Sequence, residues 1–211
     1  IGGLGLLYWR DRRGVAVLCI MLSIPHFLPY PTRAVHPGLR LLAVGHGHAA
    51  LLQLPDGTRA LVDCGTLGAR GTVIRQVAEA VLPHRQIDWL IVTHGDHDHI
   101  GCILQLLDRV VIARALLPSE MQASEVARGL QDQGCKLQYL EPGQSHPVTD
   151  GLLVHRPATS GDRNDQSAWI HADFGSFRAI LPGDALAIGV GAWLASDRAE
   201  PAEVLVLPHH G

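Results

Sequence analysis

Apolar and polar positions alternate in short runs through most of the chain, and the runs end in turns rich in glycine, proline and aspartate. Residues 39–45 read as a strand entering the turn Gly45-His46-Gly47-His48. Residues 49–54 and 59–62 read as two more strands across the hairpin turn Pro55-Asp56-Gly57-Thr58. Over residues 72–82, Val73, Val77, Ala80 and Val81 recur at helical spacing. Residues 87–92 form a strand that runs into Thr93-His94-Gly95-Asp96-His97-Asp98-His99, and a helix follows over 100–107. The second half has the same grammar. A strand is expected at 110–117, then a helix at 119–133 that Ser119 can cap. Strands follow at 135–140 and 152–156, with a hairpin pairing 168–174 and 177–181 across Gly175-Ser176. A helix at 185–195 and a strand at 204–207 complete the chain. Hairpin strands broken by helices, in two similar halves, predict an α/β fold of two sheets, each covered by helices on its outer face.

Residues 1–31 break this alternation. Residues 1–9 are apolar, Arg10-Asp11-Arg12-Arg13 is basic, and residues 14–28 are apolar again apart from Ser23 and His26. As a helix the second run would span roughly 22 Å against a hydrocarbon core of ~30 Å, and continuation through Tyr30 narrows the gap. A buried core helix or a signal-peptide core would share the pattern. The reading preferred here is a membrane hairpin whose arginine-rich turn is cytoplasmic. Residues 32–37 are then a linker. Residues 38–211 become a domain on the extracytoplasmic face of the cytoplasmic (inner) membrane.

Composition narrows the chemistry. A net charge of −3 argues against a bulk basic field, so any polyanion must be held by a local patch or by metal. Four widely spaced cysteines (Cys19, Cys64, Cys102 and Cys135) form no paired motif and read as apolar fillers. Cys64 and Cys102 lie close to motif residues, with packing as their default role. A first residue other than Met and a last stretch of His209-His210-Gly211 suggest a piece of a longer protein, truncated within its C-terminal domain.

The densest chemistry lies in residues 94–99, where three histidines and two aspartates follow a strand. Such a cluster would need desolvation or a positive partner, and neutral imidazole with carboxylate suits zinc or manganese. The spacing His94-x-Asp96-x-Asp98-His99 resembles the metal motif of the metallo-β-lactamase fold, with Asp96 at a position usually occupied by histidine. Asp63 in Leu-Val-Asp-Cys-Gly matches the Asp that ends an early strand of that fold, behind the ligands or beside the substrate, while Asp184 in Leu-Pro-Gly-Asp matches its metal-bridging carboxylate and His209 or His210 its final ligand. The Asp-x-Asp-His form, Asn164-Asp165-Gln166-Ser167 and Leu-Pro-His-His-Gly look like the corresponding domain of the ComEC competence family. The chain departs from that family at Ala43-Val-Gly-His46-Gly-His48, where it loses two carboxylates and gains two imidazoles.

The resemblance implies a metallo-β-lactamase-like αββα sandwich with two divalent metal ions, Zn or Mn. His94 and Asp96 would hold one ion and Asp98 with His99 the other. Asp184 would bridge them, and His209 or His210 would close the second site. Asp98 and Asp184 are the catalytic candidates. Two ions about 3.5–4 Å apart lower the pKa of a shared water and clamp both oxygens of a phosphodiester. His97 reads as a residue behind the ligands or an exposed one. His46 and His48 read either as plain turn residues or as groups orienting a ligand or touching substrate. His155 could face the metals or cap a strand edge. Asn164, Asp165 and Ser167 could bond a phosphate or build a turn, and Arg156 and Arg163 are phosphate partners or ordinary surface charges.

Three functions follow. The first is a metal-dependent phosphodiesterase acting on single-stranded DNA during competence uptake, beside other DNA-uptake proteins. The second is a hydrolase of the same fold for a small ester, lactone or phosphocholine-type group. The third is a non-catalytic, metal-stabilised module of a DNA channel.

Overall fold

The computed structural model describes residues 36–68, 70–196 and 200–210. The expected membrane hairpin at 1–31 and most of the linker lie outside the described residues. Among the described residues, no helix is long and apolar enough to cross a membrane.

Two sheets face each other. The first contains β1 (Gly38–Leu41), β2 (Ala50–Gln53), β3 (Arg59–Val62), β4 (Gln86–Ile91), β5 (Val111–Pro118) and β6 (Lys136–Leu140), in that order. Its first three strands are antiparallel, and β3 to β6 run parallel. The second contains β7 (Ser145–Thr149), β8 (Leu152–His155), β9 (Trp169–Asp173), β10 (Arg178–Leu181) and β11 (Val204–Leu205), in the order β11-β10-β9-β8-β7. Only the β10–β11 pair in it is parallel.

The period-two pattern decides which layer each side chain enters. From β3 to β5, Ala60, Val62, Trp89, Ile91 and Leu116 face the second sheet, where they meet Leu152, Val154, Ile170, Ala172 and Leu181. Their neighbours Leu61, Leu90, Ala115 and Leu117 point the other way. There they meet α1 (Arg70–Ala80) through Val73 and Val77, α3 (Ile103–Leu106) through Ile103 and Leu106, and α4 (Glu125–Asp132) through Val126, Ala127 and Leu130. On the far side of the second sheet, Trp169 and Ile180 pack beneath α5 (Ala187–Leu194) through Val190 and Trp193. The layers are therefore helix, sheet, sheet, helix, in agreement with the αββα expectation.

Some boundaries differ from the sequence reading. The helix expected over 100–107 is two short ones, α2 (His97–Ile100) and α3. Cys102 N donates to Cys64 O at 2.8 Å instead of to the preceding helical turn, so the loop after β3 interrupts the helix. The helix expected from Ser119 is a 3-10 turn at Ser119–Met121 followed by α4. Ser124 caps α4 by accepting from Ala127 N at 3.1 Å, while Ser119 Oγ donates to Glu141 at 2.6 Å. β7 was not expected. It is an edge strand containing Pro147, where a missing N–H costs no ladder bond.

Candidate metal centre

The site forms where strand ends of both sheets meet. Asp63 follows β3, the stretch 93–99 follows β4, Ser167 precedes β9 and Asp184 follows β10. Ala168 N donates to Thr93 O at 2.9 Å and joins the two sheets at this point.

Asp63 is fully buried and adopts φ of 55°, a left-handed conformation that aspartate tolerates better than most residues. Its Oδ1 accepts from Thr93 N at 2.8 Å. Its Oδ2 lies 2.8 Å from Thr93 Oγ1, 2.7 Å from His99 Nδ1 and 3.1 Å from His48 Nδ1. Burial alone would raise this carboxyl's pKa. The charge of His99 and the hydrogen bonds of His48 and His99 outweigh it and hold the pKa far below the carboxylate range.

His99 is equally buried, with Nδ1 on Asp63 and Nε2 3.0 Å from Asp184 Oδ1. Burial would lower its pKa, but the two carboxylates prevail and raise it to about 10. His94 behaves oppositely. Burial, then the neighbouring charge of His99, depresses its pKa and keeps the ring neutral. Thr93 Oγ1 commits its proton to Asp63, so toward His94 Nδ1, 3.1 Å away, it can only accept. His94 Nδ1 therefore carries the hydrogen, and Nε2 presents a lone pair. That Nε2 is buried without a hydrogen-bond partner.

Ser167 Oγ lies 3.3 Å from His94 Nδ1 and accepts from Asp184 N at 3.2 Å, tying the β10 loop to the β4 loop. Gly183, at φ of 59°, lets these loops close up, because a Cβ there would lie 2.9 Å from the Cβ atoms of both Thr93 and Ser167.

Ligand atoms of His94, His99 and Asp184 come within 4.8 Å of one another, as do those of His48, Asp63 and His99. The first trio fits a divalent cation: it combines a neutral imidazole whose Nε2 makes no hydrogen bond, a second imidazole and a carboxylate. The second trio is closed upon itself by hydrogen bonds.

The remaining candidates take varied places. Asp96 Oδ2 lies 3.6 Å from His94 Nε2, and its Oδ1 pairs with Arg163 at the mouth of the site. Asp98 is half-buried on α2 and belongs to neither trio. His97 is exposed and contacts Arg70. His48 stacks on His99 with ring centroids 5.5 Å apart, while His46 is exposed. The turn that carries these two is fastened by main chain. His48 N donates to Asp98 O (3.0 Å), Gly65 N to His48 O (3.0 Å) and Leu67 N to His46 O (2.9 Å).

Asn164 takes part in the turn through its backbone, whose N–H donates to Asp162 Oδ1 at 2.9 Å. Asp165 is buried and accepts from Gly189 N at 2.7 Å, so it anchors α5. His155 bonds Ser145 Oγ at 2.9 Å at the strand edge. Arg156 is 1% exposed and engages Leu140 O, Gln166 O and Glu120, a strut between elements rather than a phosphate partner. His209 is exposed, with its N–H on Gly183 O at 3.4 Å, and the side chain of His210 lies outside the described part. The sequence reading gave Thr93 no role. A threonine at a strand end carries no signal that separates a hydrogen-bonding hub from packing.

Residues 42–209 match the metallo-beta-lactamase superfamily. The chain is 31% identical to a metal-dependent hydrolase of Enterococcus faecalis, over 54% of this chain and 46% of that protein. It is 23% identical to ComE operon protein 3 of Bacillus subtilis, over 86% of this chain and 26% of that protein. The chain thus spans less than half the length of either relative. A metallo-beta-lactamase-fold protein of Thermotoga maritima superposes with a TM-score of 0.56 at 17% identity, covering 82% of this chain and 97% of that one.

Proposed function

We propose, from the premise that the chain belongs to the metallo-β-lactamase superfamily, that it is a metal-dependent hydrolase acting on the phosphodiester backbone of single-stranded DNA. The observation that carries the hydrolase reading is the buried His94–His99–Asp184 trio, in which His94 Nε2 makes no hydrogen bond. These three residues would hold a divalent ion, with Asp96 beside them; Zn and Mn both suit the donors. A bound ion would supply a Lewis acid and a water of lowered pKa.

The chain's own residues prepare the rest. Thr93 and Ser167 fix the His94 tautomer. Asp63 takes the Nδ1 side of His99, so ligation requires the Nε2 proton to leave to solvent, because Asp184, 3.0 Å away, is itself a ligand of the trio and stays ionised. Asp98, half-buried on α2 next to His99, is the further carboxylate from which a second ion or substrate water would be reached. Arg163, whose side chain is 62% exposed, carries a planar donor fork suited to a phosphate oxygen at the mouth.

The substrate reading rests on the likeness to ComE operon protein 3 and on the Asp-x-Asp-His and Leu-Pro-His-His-Gly resemblance. The apolar, basic, apolar order of residues 1–31 supports an inner-membrane anchor, with the hydrolase domain on the extracytoplasmic face beside other DNA-uptake proteins. A small-ester, lactone or phosphocholine-type hydrolase is the second reading, because one fold hosts many substrates and does not choose among them.

The test is metal content of the full chain together with cleavage of single-stranded DNA and small esters in zinc or manganese, beside Asp184→Ala. Metal-dependent DNA cleavage absent from the variant is the expected result. Faster turnover of a small ester than of DNA would favour the second reading. Bound metal without any hydrolysis would make the domain a structural module.

A further inference from the structure

We infer that the exposed face of α1, beside the metal-ligand stretch, is a backbone subsite for single-stranded nucleic acid. This rests on the phosphodiester reading and says where a polymeric substrate lies. A chain of net charge −3 has no general attraction for a polyanion, so such a substrate requires a local cationic surface.

Two adjoining cavities provide one. The first, of about 790 Å³, is lined by Leu67, Gly68, Arg70, Gly71, Thr72 and Arg75, with two cations and no carboxylate in its wall. The second, of about 560 Å³, shares Gly71 and Arg75 with the first and adds Arg85 and Arg109 against Glu79 and Asp108. Gly71, Arg75 and Ala78 stand at i, i+4 and i+7, one side of α1, so the cavities follow the helix as a continuous track.

The track starts beside the ligand-bearing stretch. Arg70 contacts His97, in the middle of the ligand stretch, and Arg163 pairs with Asp96 on the same stretch. Two guanidinium groups therefore flank the loop that carries the ligands, and Arg75 and Arg109 continue the positive line away from it. Arg156 takes no part, since it is buried on protein carbonyls. The walls offer exposed Leu67 and Leu82 but no aromatic ring among their lining residues. Bases have an apolar surface to rest on and no stacking plane. Recognition then falls on phosphates, which gives a sequence-tolerant and salt-sensitive subsite.

The experiment measures kcat and KM of the metal-loaded full chain on an oligodeoxythymidine and on a small aryl phosphodiester, across a salt series. Arg75→Gln with Arg109→Gln, both at exposed positions, is compared with Lys136→Gln with Arg178→Gln, which removes the same charge from other elements. In the α1 variant the oligonucleotide KM should rise roughly tenfold, and its salt slope should flatten by about 0.7 per arginine. Its kcat and its turnover of the small diester should not change. Equal oligonucleotide KM and salt slope in the two variants would overturn the subsite while leaving the phosphodiesterase reading intact. If the native chain cleaves neither substrate, that reading fails, and anisotropy of a fluorescent oligonucleotide decides the subsite alone. Salt-dependent binding lost in the α1 variant upholds the subsite, and binding absent or unaltered overturns it.

Discussion

On the outer face of the six-stranded sheet, the helices bury a continuous apolar layer that includes Val73, Leu90, Ile103, Leu117 and Leu130. On the outer face of the five-stranded sheet, α5 covers a small cluster of Trp169, Ile180 and Ala185, with Val190 and Trp193 partly buried. The metal centre straddles this inequality. His94, His99 and Asp63 are held by the thick half, whereas Ser167 and Asp184 are held by the thin one. Two contacts fasten α5 to this thin half: Gly189 N on Asp165 Oδ1 at 2.7 Å, and Trp193 stacked on Trp169 at 4.5 Å. Positional accuracy at the centre is therefore limited by the weaker of its two supports.

The largest expected effect removes one ligand from each half. His94→Ala and Asp184→Ala should each lower metal affinity more than ~100-fold, beyond the range for residues that merely orient ligands. Competitive zinc titration checks this, and retained affinity in either variant would remove that half from the centre.

Next come the supports. Leu90→Ala should cost about 2–5 kcal/mol in denaturant unfolding, because it leaves a cavity in the thick layer. Trp193→Ala, with a half-buried ring, should cost about 1–2 kcal/mol. Per unit of stability lost, the tryptophan variant should weaken metal binding more. The reverse ranking would break the comparison.

A third prediction separates metal-free from metal-loaded protein by pH. The folded pKa of His99, about 10, exceeds its ordinary value of 6.5. The metal-free fold thus holds an extra proton between these values, and its stability is full below about 6.5 and declines as pH rises through about 10. Metal binding must displace that proton, so affinity should rise with pH over the same window. Melting curves of both forms from pH 6 to 10 should diverge, and parallel curves would contradict the assignment. The smallest effect is Ser124→Ala, a lost α4 cap worth about 0.5–2 kcal/mol, with unchanged metal affinity.

The thick half was also the more legible in the sequence. Strand residues such as Leu61, Leu90 and Leu117 alternate strictly with neighbours facing the other sheet, and the helical spacing of Val73 and Val77 needs no tertiary information. Ligand candidates at strand ends were legible for the same reason, since a strand followed by His94 or Asp184 delivers its next residue to one rim. What escaped depends on partners distant in sequence. The break before Cys102 comes from the Cys64 carbonyl, and the burial of Arg156 comes with the Leu140 and Gln166 carbonyls and the Glu120 carboxylate. The exchange of Asp96 between His94 and Arg163 joins residues 67 positions apart. No local period encodes such encounters.

The turn at residues 45–48 has a consequence for redesign. Its fastening to Asp98, Gly65 and Leu67 uses peptide groups, and a Cβ on Gly47 would lie 2.8 Å from Asp98 O, so main chain fixes the path there and the His48 ring adds its bond to Asp63. Positions 46 and 48 thus act as a socket: the fitting stays constant while the inserted group can be exchanged. An amide installed at position 48 would offer Asp63 a donor where the imidazole does, whereas a carboxylate there would repel it. The proton inventory around His99 could then be retuned one residue at a time, on a scaffold that does not have to refold to accept the change.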